Sequence, residues 1–418
     1  MRTALLSGAQ AESQRNGTVE SKYDREHVVE QFAIESGPFA DNPYPIFERL
    51  RREAPIFWHE QLNAYIITRY EDCRRLSEDS ERFYNSPDGN PAIPYLMQMA
   101  GEGHKRLRKL VNPAFSPRGL AASVEPVLPG IAGELVEQFC GNGKAEIVHD
   151  MAEPMATRVI SRLLNVSRGD EKWMVKTAYD WLEAEANPSN AALQVNYKKN
   201  VSDLRNFFQE RIAEERAHPS GNLISDLIAA EADGGSLSSE ELLANTMALV
   251  VAGIETTTRL ISNLVYLLAS HPAQLQRLLD DMSLLKSAIE ETLRLHSPNQ
   301  PIMRYAQKEM EICGLSIKPG TRVYGMRGSA NRDPDVWRDP DSFDIARFLD
   351  KGLPPHLSFG WGPHVCIGSY LARRETTVVV EHLLNRVTNL RLDPAHDVRF
   401  TGFRNRGPHE LHILFDSR

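Results

Sequence analysis

Apolar positions recur at helical spacing from Tyr44 to Arg51, and two short apolar runs follow, Ile56-Phe57-Trp58-His59 and Ala64-Tyr65-Ile66-Ile67-Thr68, which predict a β-hairpin. Between Tyr84 and Gly103 the chain is rich in Pro, Gly, Asn and Met and has no period, the pattern of a long functional loop. From His104 to about Glu240 the pattern is helical, with turns expected at Pro113, Pro117, Asn187-Pro188 and Pro219-Ser220-Gly221. Ser238 and Glu241 have the spacing of a capping box, and the apolar run that follows through Leu242, Leu243, Met247, Leu249 and Val250 continues to Leu267-Leu268 before Pro272 stops it. Such a helix would cross most of the molecule. After Pro298 short strand-like segments appear, Glu311-Ile312-Cys313 and Arg322-Val323-Tyr324, with a turn at Lys318-Pro319-Gly320. The expected fold is mainly α with small β-sheets near the two ends of the chain.

Composition narrows the class. The 418 residues, 41% hydrophobic and 25% charged, suffice for a core that encloses a cofactor, and the net charge of -8 argues against a nucleic-acid partner. No apolar run approaches the ~20 residues of a membrane span, and the start, Met1 to Gly8, has too short an apolar core for a signal peptide. A cytoplasmic, prokaryotic-type protein is expected, a monomer with no membrane contact, in which residues 1–25 form a flexible extension and residues 26–418 a single domain. Cys73, Cys140, Cys313 and Cys366 are scattered, with no C-x-x-C pair for zinc or a redox dithiol.

Cys366 stands apart. It lies in Phe359-Gly360-Trp361-Gly362-Pro363-His364-Val365-Cys366-Ile367-Gly368, a glycine-punctuated loop leading into the helical pattern of Ser369 to Glu375. The glycines permit a tight fold beneath a flat ligand, and the sulfur arrives where free amide groups and the positive helix end favour an anion. The F-G-x-G-x-H-x-C-x-G string resembles the haem-binding signature of the cytochrome P-450 family. The resemblance implies that fold, a triangular helical prism with a β-rich lobe, and makes Cys366 the thiolate ligand of haem b iron, with Phe359, Gly360 and Gly368 shaping the cofactor site.

Further elements resemble the same family. Ala252-Gly253-Ile254-Glu255-Thr256-Thr257, in the middle of the long helix, is similar to its A-G-x-[D/E]-T-T element. That match places Ala252 over the haem, has glycine and a distorted turn open a groove for O2, and assigns Thr256 to hydrogen-bonding the oxygen and Glu255 to relaying protons. Read from the residues alone, Glu255 faces solvent and Thr256 bonds back to a carbonyl. Glu291 and Arg294 are an E-x-x-R pair which, with Arg347 of Phe343-Asp344-Ile345-Ala346-Arg347, the resemblance turns into a network fixing the cysteine loop. Asn331-Arg332-Asp333-Pro334 also matches in order. His104, Arg108, Arg304 and His364 match positions that bind the haem propionates, although the approach Met99-Ala100-Gly101-Glu102-Gly103 departs from the family's Asp-Pro-Pro-like pattern.

The implied activity is a monooxygenase that inserts one atom of O2 into a small organic substrate. No G-x-G-x-x-G or iron-sulfur cysteine set is present, so electrons from NAD(P)H require a separate ferredoxin or flavodoxin and its reductase. Lys105, Arg106 and Lys109, if they point outward, could dock such an acidic donor. Two other readings stay open: a peroxide-driven or non-oxygenating relative, and a haem-binding sensor without turnover. By the family's pocket positions, Tyr95, Leu96, Met97, Trp181, Asn245, Leu249, Gln300, Ile302 and Phe403 would line the substrate site, together with Asn299. This mix of aromatic and amide groups suits a medium-sized, partly polar aromatic or natural-product intermediate in preference to a simple fatty acid.

Overall fold

Tyr44–Glu53 forms helix α1, whose Ile46, Phe47 and Leu50 are buried on one face. The computed structural model describes residues 28–34, 37–87, 94–186, 190–232, 235–312 and 314–418. The N-terminal extension, the middle of the loop after Tyr84, the Asn187-Pro188 turn and Cys313 lie outside the described residues.

Strands β1 (Ile56–His59) and β2 (Ala64–Ile67) pair antiparallel from Ile56↔Ile67 to His59↔Ala64, the expected hairpin. Helix α2 (Tyr70–Glu78) and strand β3 (Phe83–Tyr84) follow. Helix α3 spans Gly101–Phe115, so the preceding loop ends before Gly101, three residues earlier than Gly103 suggested. Pro113 lies inside this helix instead of breaking it; the break comes at Ser116, whose Oγ accepts the Gly119 amide at 3.0 Å and caps the next helix. Strand β4 is Lys144–Glu146, and helices α4 (Glu153–Leu163), α5 (Glu171–Ala186) and α6 (Ala191–Ala217) complete the helical half.

The expected long helix is α7, Ser239–Ser270. Both halves of the capping box form: the Glu241 amide donates to Ser238 Oγ at 3.2 Å and the Ser238 amide to Glu241 Oε2 at 2.9 Å. By length and mean hydropathy, 1.2 over its most apolar window, α7 could cross a membrane, but 72% of that window is buried inside the protein. It is the axis of the largest apolar cluster, which α4 residues Met155, Val159 and Ile160 share.

Helix α8 (Leu285–Leu295) precedes strands β5 (Pro301–Ala306) and β6 (Arg322–Met326), and helix α9 (Ser369–Arg386) precedes β7 (Val387–Leu392) and β8 (His412–Ser417). The larger sheet has the order β1-β2-β6-β5-β3, with β6 parallel to β2. Parallel partners require a crossover, and here the crossover contains nearly all the helices. This pairing joins segments far apart in the chain in one lobe, over a second core of Ile67, Tyr70, Leu76, Ile302, Val323 and Trp337. A smaller sheet, β7-β8-β4, closes the other side.

Candidate active site

The loop before α9 is folded by two left-handed glycines, Gly360 at φ +73° and Gly362 at φ +74°. Gly362 is needed for space as well, since a Cβ there would lie 2.9 Å from Glu78 Cα of α2. The Cys366 amide donates to the Phe359 carbonyl at 2.8 Å, which closes the loop and holds the cysteine just ahead of α9. Gly368, the residue before α9, offers no side-chain cap, and a Cβ on it would stand 4.0 Å from Cys366 Sγ. Cys366 is solvent-accessible, unlike the buried Cys73 and Cys140. Its sulfur is nonetheless crowded by protein: burial pushes the free thiol upward, opposed by the Gly368 amide and by Arg327, Arg108 and Arg373. A metal cation bound to the sulfur would reverse that shift, because a coordinating thiol is deprotonated outright. Cys73, wholly buried, is pushed far higher by burial.

Around this loop the structure gathers basic side chains that meet no carboxylate among the described residues. The rings of His104 and His364 lie 3.9 Å apart, and Asn85 Nδ2 meets His364 Nδ1 at 3.1 Å. Burial, then Arg108 and Arg304, hold His104 down to about 4; burial, then His104, Arg304 and Arg108, hold His364 down to about 2. Among the described residues Arg304 donates only to the Met303 carbonyl, at 2.9 Å, and burial beside Arg327 lowers it to about 9. Arg108 donates to the Val365 carbonyl at 2.7 Å. His104 Nε2 is buried with no partner. Buried guanidinium groups normally face carboxylates, and neutral imidazoles can donate beside them, so two arginines and two histidines together fit a ligand bearing carboxylates of its own. Among the described residues no group of three or more His, Cys, Asp or Glu could hold a bare metal ion. A metal at Cys366 must bring most of its ligands with it, as haem does.

Behind the loop, Glu291 and Arg294 of α8 are fully buried and paired at 2.8 and 2.9 Å, and Arg347 Nε reaches Glu291 at 3.0 Å. Arg294 also donates to the carbonyls of Asn331, Pro340 and Ser342. Three supports were not legible in the sequence. Asn331 binds the Leu357 amide at 2.7 Å and Ser358 Oγ at 2.9 Å. Glu290 receives Arg373 at 2.6 and 2.8 Å and His356 at 3.0 Å, while the Arg373 guanidinium lies 4.4 Å over the Phe359 ring. Arg327 is half-buried near the cysteine, and desolvation lowers it to about 10 despite the charge of Cys366. Only the Asn331 segment carried a signal, as part of Asn331-Arg332-Asp333-Pro334.

In the middle of α7 Ala252 is exposed and Gly253 and Thr256 are half-buried, while Val251, Ile254 and Glu255 are buried. The expected distorted turn is absent, because α7 stays regular α-helix from Ser239 to Ser270. Gly253 serves packing: a Cβ there would lie 2.5 Å from Ile160 Cδ1 of α4. Thr256 Oγ1 donates back to the Ala252 carbonyl at 2.7 Å, the ordinary helical arrangement. Glu255 does not face solvent; Asn405 Nδ2 donates to its Oε2 at 2.6 Å and Arg259 Nη2 to its Oε1 at 3.4 Å.

The substrate-pocket set divides. Tyr95, Leu96 and Trp181 are buried, Leu249 is half-buried, and Met97 is 55% exposed. Trp181 packs edge-on to Tyr197 with centroids 5.3 Å apart and donates to Glu185, which also receives Arg404 at 2.8 Å. Asn245 is a clamp: its Oδ1 accepts the Leu96 amide at 2.9 Å and its Nδ2 donates to the Glu241 carbonyl at 2.7 Å, so it pins the loop to α7. Ile302 packs over Gly325 with Leu76 and Cys73, in the core under the sheet. Gln300 and Phe403 border a cavity of about 30 Å³ beside Phe47 and Met326. Lys105 pairs with Glu102 at 2.6 Å and Arg106 with Glu241, so neither is an unpaired cation.

A glycine-folded loop that carries an accessible cysteine, ringed by Arg108, Arg304, Arg327 and two histidines, is the site of a haem-thiolate oxidoreductase. The chain belongs to the cytochrome P450 family, whose model matches residues 40–400. It is 34% identical over 370 residues to the biotin biosynthesis cytochrome P450 of Bacillus subtilis, covering 85% of this chain and 92% of that one. It is 30% identical over 403 residues to pulcherriminic acid synthase of the same organism, covering 93% and 98%. Among solved structures, P450BioI in complex with hexadec-9Z-enoic acid ligated acyl carrier protein superposes with TM-score 0.83 at 33% identity, over 90% of this chain and 99% of that one. The mainly α fold is the cytochrome P450 fold, and the protein is a monooxygenase.

Proposed function

We propose that residues 26–418 form one haem b domain in which Cys366 is the metal ligand, and that the enzyme oxidises a small organic molecule with O2 and electrons from NAD(P)H. The observation that carries this reading is an accessible cysteine beside the buried Arg304, which meets no carboxylate among the described residues, and beside the unpartnered Nε2 of buried His104. His104, Arg108, Arg304 and His364 would hold the two propionates; Phe359, Gly360, Gly368 and Ala252 would border the ring. When bound, haem supplies the redox-active iron at which O2 is reduced. Thr256 orients oxygen and water through its hydroxyl, and Glu255 passes protons from solvent toward it, for which it must release one of its present partners. Glu291, Arg294 and Arg347 keep the cysteine loop in place. Electrons arrive from a separate ferredoxin or flavodoxin and its reductase. The protein works as a cytoplasmic monomer in secondary metabolism.

For the substrate, the buried Tyr95, Trp181 and nearby Tyr197, with the Glu185–Arg404 ion pair beside them, favour a partly polar aromatic or natural-product intermediate. A Soret screen tests this. Aromatic amides should give the larger low-to-high-spin shift, and tightest binding by hexadec-9Z-enoic acid, with none by aromatic ligands, would overturn it. The monooxygenase chemistry itself is tested by carbon monoxide: the reduced protein should absorb near ~450 nm, and Cys366→Ala alone among the cysteine variants should abolish the band. NADPH and O2 uptake with a surrogate ferredoxin pair separates this reading from a peroxide-driven enzyme or a sensor.

A further inference from the structure

Three side-chain hydrogen bonds run head to tail from the cysteine side of the molecule to α7. Arg327 Nη1 donates to Asn299 Oδ1, Asn299 Nδ2 donates to Asn405 Oδ1 at 2.8 Å, and Asn405 Nδ2 donates to Glu255 Oε2 at 2.6 Å. All three point the same way, with a guanidinium at one end and a carboxylate at the other, so each amide is polarised in the sense that strengthens the next bond. The main chain fixes both amides. Asn299 and Asn405 face each other across an antiparallel bridge, the Gln300 amide donates to the Arg404 carbonyl at 2.7 Å, and the Arg406 amide to the Pro298 carbonyl at 2.7 Å.

The two bonds on Glu255 are unequal. Its bond to Asn405 is short and comes from a residue held on both sides; its contact with Arg259 is 3.4 Å, the limit of a hydrogen bond. Arg259 has a better partner in the Pro408 carbonyl, at 2.6 Å. A carboxylate that accepts and hands on a proton must free one oxygen while the other stays anchored. Here the geometry separates the two tasks.

We propose that Asn405 is a positioning residue that anchors the Glu255 carboxylate, that Arg327 and Asn299 hold the Asn405 amide in its donating orientation, and that Arg259 is the partner Glu255 releases. This rests on the reading of Glu255 as a proton relay. Asn299, grouped by sequence with the substrate pocket, then belongs to the proton machinery, and Arg327 acts on oxygen chemistry from the far end of the chain.

The test uses haem-loaded protein with a surrogate ferredoxin, its reductase and NADPH, without added organic substrate, so that O2 is reduced to water or peroxide. Each variant is first shown to keep the carbon monoxide band. Asn405→Ala should slow NADPH oxidation about tenfold, the loss of one charge-assisted hydrogen bond, and Asn299→Ala should slow it by less. Made in a Glu255→Gln background, Asn405→Ala should change nothing further. A second readout needs no turnover: with ¹³C-carboxyl glutamate, Asn405→Ala should shift one carboxylate infrared band, and that shift should vanish in the Glu255→Gln background. If Glu255→Gln slows turnover while Asn405→Ala does not, or if the infrared band stays put, Asn405 does not position Glu255 and the inference fails while the relay reading survives. If Glu255→Gln runs at the wild-type rate, the relay reading itself falls and takes the inference with it.

Discussion

Arg294 donates to the main-chain carbonyl of Asn331 at 2.9 Å, and the side chain of that same asparagine holds the Leu357 amide at 2.7 Å. The buried E-x-x-R pair thus reaches the start of the cysteine loop through one intermediate residue. Asn331 is the joint between them.

Breaking that pair should release the loop. Glu291→Ala leaves Arg294 and Arg347 without the carboxylate they share, and an uncompensated buried guanidinium costs about 3–5 kcal/mol. The expected outcome is protein with little haem per chain and a lowered melting temperature. Asn331→Ala should lose haem as well but melt higher than Glu291→Ala, because it strands no charge. Purified haem-to-protein ratios and melting curves check both.

Strong acid should cost stability through Glu290. Burial alone would raise this carboxyl, but Arg373 and His356 hold it down to about 2 from an ordinary 4.5. A depressed carboxyl gives stability that is complete above pH 4.5 and drains away as pH falls toward 2; the whole difference is worth about 3 kcal/mol at most. Glu290→Gln should flatten the stability curve across that window and lower stability at pH 7. Urea melts at pH 3, 5 and 7 would reveal it, and an unchanged slope in Glu290→Gln would place the acid sensitivity elsewhere.

Two glycines of the loop should differ in their tolerance of alanine. Both have positive φ, which costs an alanine on the order of 1 kcal/mol. A Cβ on Gly360 has its nearest neighbour, the His364 carbonyl, at 3.6 Å, whereas one on Gly362 meets the backbone of Glu78 at 2.9 Å. Gly362→Ala must push the loop off α2 and should impair haem uptake far more than Gly360→Ala. Equal effects would mean that only backbone strain matters.

Thr256→Ala should uncouple the enzyme. Thr256 is half-buried and, among the described residues, its hydroxyl is bonded only to the Ala252 carbonyl, so its loss should cost the fold less than about 1 kcal/mol. NADPH consumption should continue while peroxide replaces organic product, and Thr256→Ser should restore coupling. Peroxide per NADPH is the measurement, and wild-type coupling in Thr256→Ala would make the hydroxyl incidental.

Periodicity and punctuation determined much of this protein without any structure. The capping box at Ser238, the hairpin from Ile56 and the glycine spacing before Cys366 are local: each depends on residues within a few positions of one another, so the sequence displays the physics directly. What only the tertiary structure decided involves distance along the chain. Asn331 meeting Leu357, Glu290 receiving Arg373, and Arg327 reaching Glu255 through Asn299 and Asn405 all join residues far apart in sequence, and amides and carboxylates look alike in a sequence whether they face water or each other. Burial also changed meanings that spacing had suggested. Gly253 makes room for Ile160, Asn245 clamps a loop, and the free thiol of Cys366 is raised, because desolvation depends on how many atoms surround a group, and that number is set only when the whole chain has packed.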